Sequence, residues 1–241
     1  MQTISNTVNV LDHGFVTLRN LAGPTRRPDR TFDASDIDPA QAARMSFEQM
    51  DSERTYEQDM RLAKYLLTHG HTSPFEMVQV WVEVKAPIFV DRQMVRHRTW
   101  SRNESSGRYI TLPEQWYIPD VLGAKATDKK QGRAEGLFPE AQAYYKSKLQ
   151  GHCREGYDLY LEALNAGVAP EQARMFLSLN HYVHWIGTVD LSNMFKFLAL
   201  RLGEDAQWEA RQYAQAIVTL LRPHLPGLMQ LFDETLKEKI Q

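Results

Sequence analysis

Val78-Gln79-Val80-Trp81-Val82-Glu83-Val84-Lys85 alternates without a break, with four valines on one face and Gln79, Trp81, Glu83 and Lys85 on the other. Successive side chains of a strand point to opposite faces, so this spacing predicts a strand with one buried side. Just upstream, Ser73-Pro74-Phe75-Glu76 has the form of a capping box with proline at the first helical position. Just downstream, Pro87 is expected to open a short helix through Arg96, which sets Arg92 and Arg96 four apart on one face. A half-buried strand bracketed by helix signals points to an α+β fold with a mixed sheet packed against several helices.

Working outward, residues 14–18 predict an early strand, and the Pro/Arg/Asp-rich stretch 23–33 a loop. Asp38-Pro39 is expected to cap a short helix through Phe47. Tyr56, Met60, Ala63, Leu66 and Leu67 recur at helical intervals over 53–68, and His69-Gly70 supplies a stop. A long helix is expected over 139–165, with Tyr157, Tyr160 and Leu164 towards a core. Pro170 starts another, carrying Arg174. Residues 182–189 read as a strand, with Asp190 capping a helix to Leu202-Gly203; further helices follow over 205–221 and 227–238. The polar stretch 123–135, within 120–137, has almost no apolar content and reads as an exposed insertion. No repeat and no linker interrupts residues 1–241, so one domain is expected.

The 241 residues are 43% hydrophobic and 24% charged, ordinary for a soluble globular chain. The formal net charge of -2 argues against a general nucleic-acid binder. The single cysteine, Cys153, sits in an amphipathic helix pattern as a packed thiol and suits a reducing compartment. With no leader-like start and no bilayer-length apolar run, a cytoplasmic protein with no membrane partner is expected.

Against this background Arg96-His97-Arg98-Thr99-Trp100-Ser101-Arg102-Asn103-Glu104-Ser105-Ser106-Gly107-Arg108 stands out. An apolar core cannot take such a set without partners for each polar group. Arginine forks suit phosphates and carbonyl-bearing rings, and Ser-Ser-Gly lets backbone N–H groups approach an anion. The chain lacks Gly-x-Gly-x-x-Gly, a Walker-type loop and a Gly-x-Ser-x-Gly elbow, which argues against those machines. His69/His71 and His181/His184 are the only metal candidates, without the cysteine partners or helical Glu spacing of a zinc site. They define a metal-hydrolase alternative, and no metal is expected. A second alternative is single-stranded nucleic-acid binding through the Arg/aromatic cluster 92–109.

Arg96-His97-Arg98-x-x-Ser101-x-Asn103-Glu104-x-Ser106-x-Arg108 resembles the signature motif of the flavin-dependent thymidylate synthases at every fixed position. The resemblance continues through His69-Gly70-His71-x-Ser73-Pro74-Phe75-Glu76, Lys85–Gln93, Ala173-Arg174, Phe197–Arg201 and Ala206-Gln207-Trp208-Glu209. It implies a homotetramer that methylates dUMP to dTMP. Its cofactor is FAD, with NADPH and 5,10-methylenetetrahydrofolate as co-substrates and no enzyme nucleophile.

By position, the resemblance implies flavin contacts at His71, Ser73, Glu76, Arg96, His97, Arg98, Glu104, Asp190 and Lys196. It implies nucleotide contacts at Gln93, Arg96, Glu104, Ser106, Gly107, Arg108, Arg174 and Arg201, with Arg201 as the catalytic residue beside the uracil carbonyls. Glu104 is expected to stay ionised among cations. Asp190, Lys196 and Asp205 depart from residues of some relatives, where asparagine or histidine stands.

Overall fold

The computed structural model describes residues 6–24, 33–50, 52–126 and 133–240. Strands β1 (Thr7–Val10), β2 (Gly14–Ala22), β3 (Gln79–Pro87), β4 (Ser101–Glu104) and β7 (Tyr182–Asp190) form a sheet in the order β1-β2-β3-β7-β4. Every pairing in it is antiparallel. The expected mixed sheet is therefore corrected. The one-sided alternation of β3 is itself the antiparallel pattern, because parallel strands are covered on both faces and read as continuous apolar runs.

Val80, Val82, Val84 and Ala86 of β3 are buried as the alternation predicts, alongside Trp185 and Val189 of β7. Helices α7 (Leu191–Arg201), α8 (Trp208–Leu221) and α9 (Pro226–Ile240) supply Leu198, Tyr213, Ile217, Leu221 and Met229 to the same core. Asp190 caps α7, its Oδ1 accepting from the Asn193 N–H at 2.8 Å. Asp36 holds the start of α9, accepting from the N–H groups of Gly227 and Leu228 at 2.9 Å each.

Helices α1 (Asp38–Arg44) and α2 (Tyr56–Thr68) run near their expected bounds, and a short 3₁₀ turn takes α1 on to Phe47. The capping box at Ser73 does not form. In α3 (Ser73–Glu76) the residue before it, Thr72, already has helical angles, so Ser73 lies inside the turn and no side chain caps it. Helix α4 (Ile88–Met94) stops before Arg96. His97 N–H reaches back to the Met94 carbonyl at 3.0 Å, a tighter turn that takes Arg96 off the helical face shared with Arg92.

The polar cluster, expected as a loop, has β4 at its centre, paired from Ser101↔Thr188 to Glu104↔Trp185. The 120–137 segment carries a two-stranded pair, β5 (Gly123–Lys125) and β6 (Arg133–Gly136), apart from the main sheet. Most of the 23–33 loop lies outside the described residues. Helix α5 (Pro139–Asn165) matches its expectation and pins the chain beyond the motif: Tyr160 Oη accepts from the Leu112 N–H at 3.0 Å, and Tyr157 O–H donates to the Leu112 carbonyl at 3.1 Å. The one-turn helix α6 (Pro170–Ala173) leads into the 3₁₀ turn that carries Arg174. Among the described residues, no helix is long and apolar enough to cross a membrane.

Candidate functional site

The end of α4 and the end of α7 meet through Arg201. Its Nη2 donates to the Gln93 carbonyl at 2.8 Å, Nη1 to Gln93 Oε1 at 3.3 Å, and Nε to His97 Nε2 at 3.3 Å. An imidazole nitrogen that accepts carries no proton, so this contact assigns the His97 hydrogen to Nδ1. The ring also stands edge-on to Phe197, with centroids 4.9 Å apart. Burial, reinforced by the Arg201 charge, holds His97 below the usual histidine range, and burial likewise lowers Arg201. The outcome is a neutral histidine beside a fixed guanidinium.

A second group is built on the sheet edge. Arg102 Nη2 and Trp185 Nε1 both donate to Asp91 Oδ1, each at 2.8 Å. The Arg102 guanidinium lies over the Trp185 ring at 3.9 Å and reaches Glu104 Oε2 at 3.4 Å. Sequence reasoning gave Asp91 no role and Arg102 none beyond the nucleic-acid alternative. A carboxylate directly after the apolar run Ile88–Val90 is the available signal, since a buried acid needs a partner.

Beside this pair opens a cavity of about 780 Å³, walled by Arg92, Arg102, Glu104, Gly107 and Arg174, with His181 among its lining residues. Burial and the neighbouring Asp91 push the Glu104 carboxyl up, against the opposing pull of Arg102 and Arg174. Its charge is thus less secure than the sequence implied. Ser106 sits in the turn that leaves β4, its Oγ accepting from the Arg108 N–H at 3.3 Å, and Arg108 Nε pairs with Glu171 at 3.1 Å on the exposed surface.

A second hollow, of about 480 Å³, lies between α2, α7 and α9. Leu66, Phe75, Phe195 and Phe232 wall it, and His71 and Lys196 also line it. Lys196 Nζ donates to Asn193 Oδ1 at 3.4 Å. Asp190 is engaged as a cap, each of its carboxylate oxygens accepting from Asn193. Ser73 and Glu76 lie on α3, the exposed serine and half-buried glutamate side chains making no hydrogen bond to a described residue. Arg96 and Arg98 point outward on the turn after α4, also without a described partner.

The expected residues therefore gather as three groups: Gln93, His97 and Arg201; Glu104, Gly107 and Arg174, with Ser106 and Arg108 on the adjoining turn; and His71 with Lys196. The histidine pairs do not converge. His184 Nε2 meets Glu83 Oε1 at 2.6 Å, whereas His69 stacks on Tyr65 with centroids 4.1 Å apart. No group of three or more metal-ligating side chains is gathered among the described residues. Cys153 is buried, its sulfur within 3.3 Å of both Ser178 Oγ and Asn180 Nδ2. Trp100, an aromatic of the nucleic-acid alternative, packs on Trp185 and Phe197 rather than offering a free stacking face, and Arg102 is committed to Asp91. That alternative gains no support.

Residues 30–227 match the family model described as "Thymidylate synthase complementing protein". A flavin-dependent thymidylate synthase of Thermus thermophilus is 43% identical over 232 residues, covering 96% of this chain and 80% of that protein. One from Anaplasma marginale is 40% identical over 229 residues, covering 94% and 74%. The crystal structure of a UMP/dUMP methylase from Streptomyces cacaoi, bound with 5-Br dUMP, superposes with a TM-score of 0.80 at 26% identity, covering 94% of this chain and 97% of that one. Similarity of this extent, joined to a complete signature motif on the edge strand and the turns around it, places the chain in the flavin-dependent thymidylate synthase family.

Proposed function

We propose that this protein methylates dUMP to dTMP, with FAD as cofactor and NADPH and 5,10-methylenetetrahydrofolate as co-substrates, as a homotetramer in the cytoplasm. The observation that carries the reading is the Arg201 contact with Gln93 and His97, which ties the far end of the chain to the motif.

The side chains fit a flavin. Arg96 and Arg98 are open cations suited to a diphosphate, and the apolar hollow offers walls for a planar ring with Lys196 and His71 among its lining groups. Reduced flavin, when bound, supplies the hydride. The protein's own part is binding, orientation and charge. Arg174 and Arg108, with Ser106 and the Gly107 backbone, would hold the nucleotide phosphate. Gln93 and Arg201 would face the uracil carbonyls, where a preorganised guanidinium stabilises negative charge as the ring is activated. His97, kept neutral, would offer its Nδ1 hydrogen to an acceptor without adding a second cation. The hollow and the cavity each lie open on one chain, and the expected flavin contacts are divided between them and the exposed turn after α4, which favours sites completed between subunits.

The test is a visible absorption spectrum of the purified protein, before and after anaerobic NADPH, with and without dUMP. Oxidised-flavin bands that bleach, followed by dTMP formation, are expected. A colourless protein that takes up no FAD overturns the reading.

A further inference from the structure

We propose that His181 is a substrate-contacting residue, its imidazole donating a hydrogen bond from the wall of the 780 Å³ cavity to the phosphate of the nucleotide. The inference rests on the functional reading above and adds a residue that lies outside the signature motif.

His181 is 2% exposed, yet its Nε2 has no partner. The backbone does not need the side chain: its N–H donates to the Ser178 carbonyl at 3.0 Å, and its carbonyl accepts from the Ile88 N–H at 2.9 Å. A buried polar group left unpaired destabilises the free protein, and such groups are rare unless a ligand or water completes them. The imidazole is neutral, since burial and the nearby Lys85 charge hold its pKa down to about 4. A neutral imidazole keeps one N–H to donate.

The surroundings select the ligand group. Arg92 and Arg174 line the same cavity as exposed guanidinium groups with no described hydrogen-bond partner, whereas Arg102 is held by Asp91. Asp91 and Glu104 also line the cavity, but Arg102 donates to both, which leaves two open cations and a buried neutral donor to match a phosphate. Arg201 and Gln93 do not line this cavity, so the uracil carbonyls have partners elsewhere. Phosphate is also carried by FAD and NADPH, and the test separates these sources.

The experiment uses flavin-loaded holoenzyme with His181→Leu and His181→Gln. The leucine variant is expected to raise the Kd and KM for dUMP about tenfold, the range of one lost hydrogen bond. Its kcat, flavin content, KM for NADPH and affinity for deoxyuridine, which lacks the phosphate, should be unchanged. Glutamine, which retains an N–H donor, should restore most of the loss. If the leucine variant misfolds, the His181 imidazole signal of histidine-labelled wild-type holoenzyme should shift with dUMP and not with deoxyuridine.

Unchanged dUMP affinity in the folded leucine variant overturns the inference, as does an equal loss for dUMP and deoxyuridine. A loss confined to flavin or NADPH also overturns it. Wild-type holoenzyme that binds no dUMP removes the functional reading, and this inference with it.

Discussion

Arg201 and His97 lie 104 positions apart, and the guanidinium Nε of one donates to the imidazole Nε2 of the other at 3.3 Å. The same arginine closes a fork on Gln93. One side chain therefore fixes an amide, a ring tautomer and a charge at the junction of α4 and α7. Neither partner can be altered without disturbing the other.

Arg201→Ala should fold, keep its flavin and lose dTMP formation by on the order of a hundredfold, the usual effect of removing a preorganised electrostatic donor. Lysine keeps the charge but not the fork and should recover little. The variant should also change the titration of His97. Above the ordinary histidine value of 6.5, the ring is neutral in folded and unfolded chains alike. Below it, the unfolded chain takes the proton first, so stability drops as the pH falls through that window. Removing Arg201 should raise the folded His97 pKa towards 6.5. Histidine NMR of wild type and variant reads this directly, and an unmoved His97 signal contradicts the coupling.

Glu104→Gln should separate stability from binding. The carboxyl is held above its usual range, so ionising it costs stability that is present at low pH and lost as the pH rises through the folded value. Glutamine removes that penalty. Thermal melts should show the variant gaining at pH 8 relative to pH 5, while its affinity for dUMP falls. A gain independent of pH would refute the burial argument.

Asp91→Ala should cost about 3 kcal/mol in urea unfolding, because it leaves the mostly buried Arg102 guanidinium only its longer contact with Glu104 and the Trp185 N–H no acceptor. Asp91→Asn should recover part of this through its remaining acceptor. A loss below about 1 kcal/mol would mean that water reaches both groups.

Arg98→Ala should leave the melting temperature of the flavin-free protein unchanged, since the side chain is exposed and has no described partner. Its effect should fall on flavin retention, read as the absorbance ratio after gel filtration. A fully flavinated variant would remove Arg98 from the cofactor set.

Much of this was legible in the sequence, for identifiable reasons. The alternation of β3 and the proline-to-asparagine span of α5 are local patterns, and both appear as read. The Asp190 cap was also legible, because capping is decided within three residues. The strand character of Ser101–Glu104 was not, since four polar residues carry no apolar alternation and pair only because β7 lies beside them. The Asp91–Arg102–Trp185 contact was hidden for the same reason: Trp185 lies 94 positions from Asp91, and only the sheet brings them together. In the sequence His181 reads only as half of a metal pair. Its isolation is a property of its surroundings, and nothing in His181-x-x-His184 encodes that.

Among the described residues, β4 is the last strand of its sheet, paired with β7 on one side alone. An open edge invites a strand from another molecule, and proteins commonly deter this with short, charged edge strands. Ser101, Arg102, Asn103 and Glu104 form such an edge. The charges that line the cavity there also guard the molecule against self-stacking, so replacing Arg102 and Glu104 together with valine would turn a charged cavity wall into an adhesive ribbon. Under the proposed function Glu104 serves both the ligand wall and this edge, so a variant there should be assayed for solubility as well as for dUMP binding.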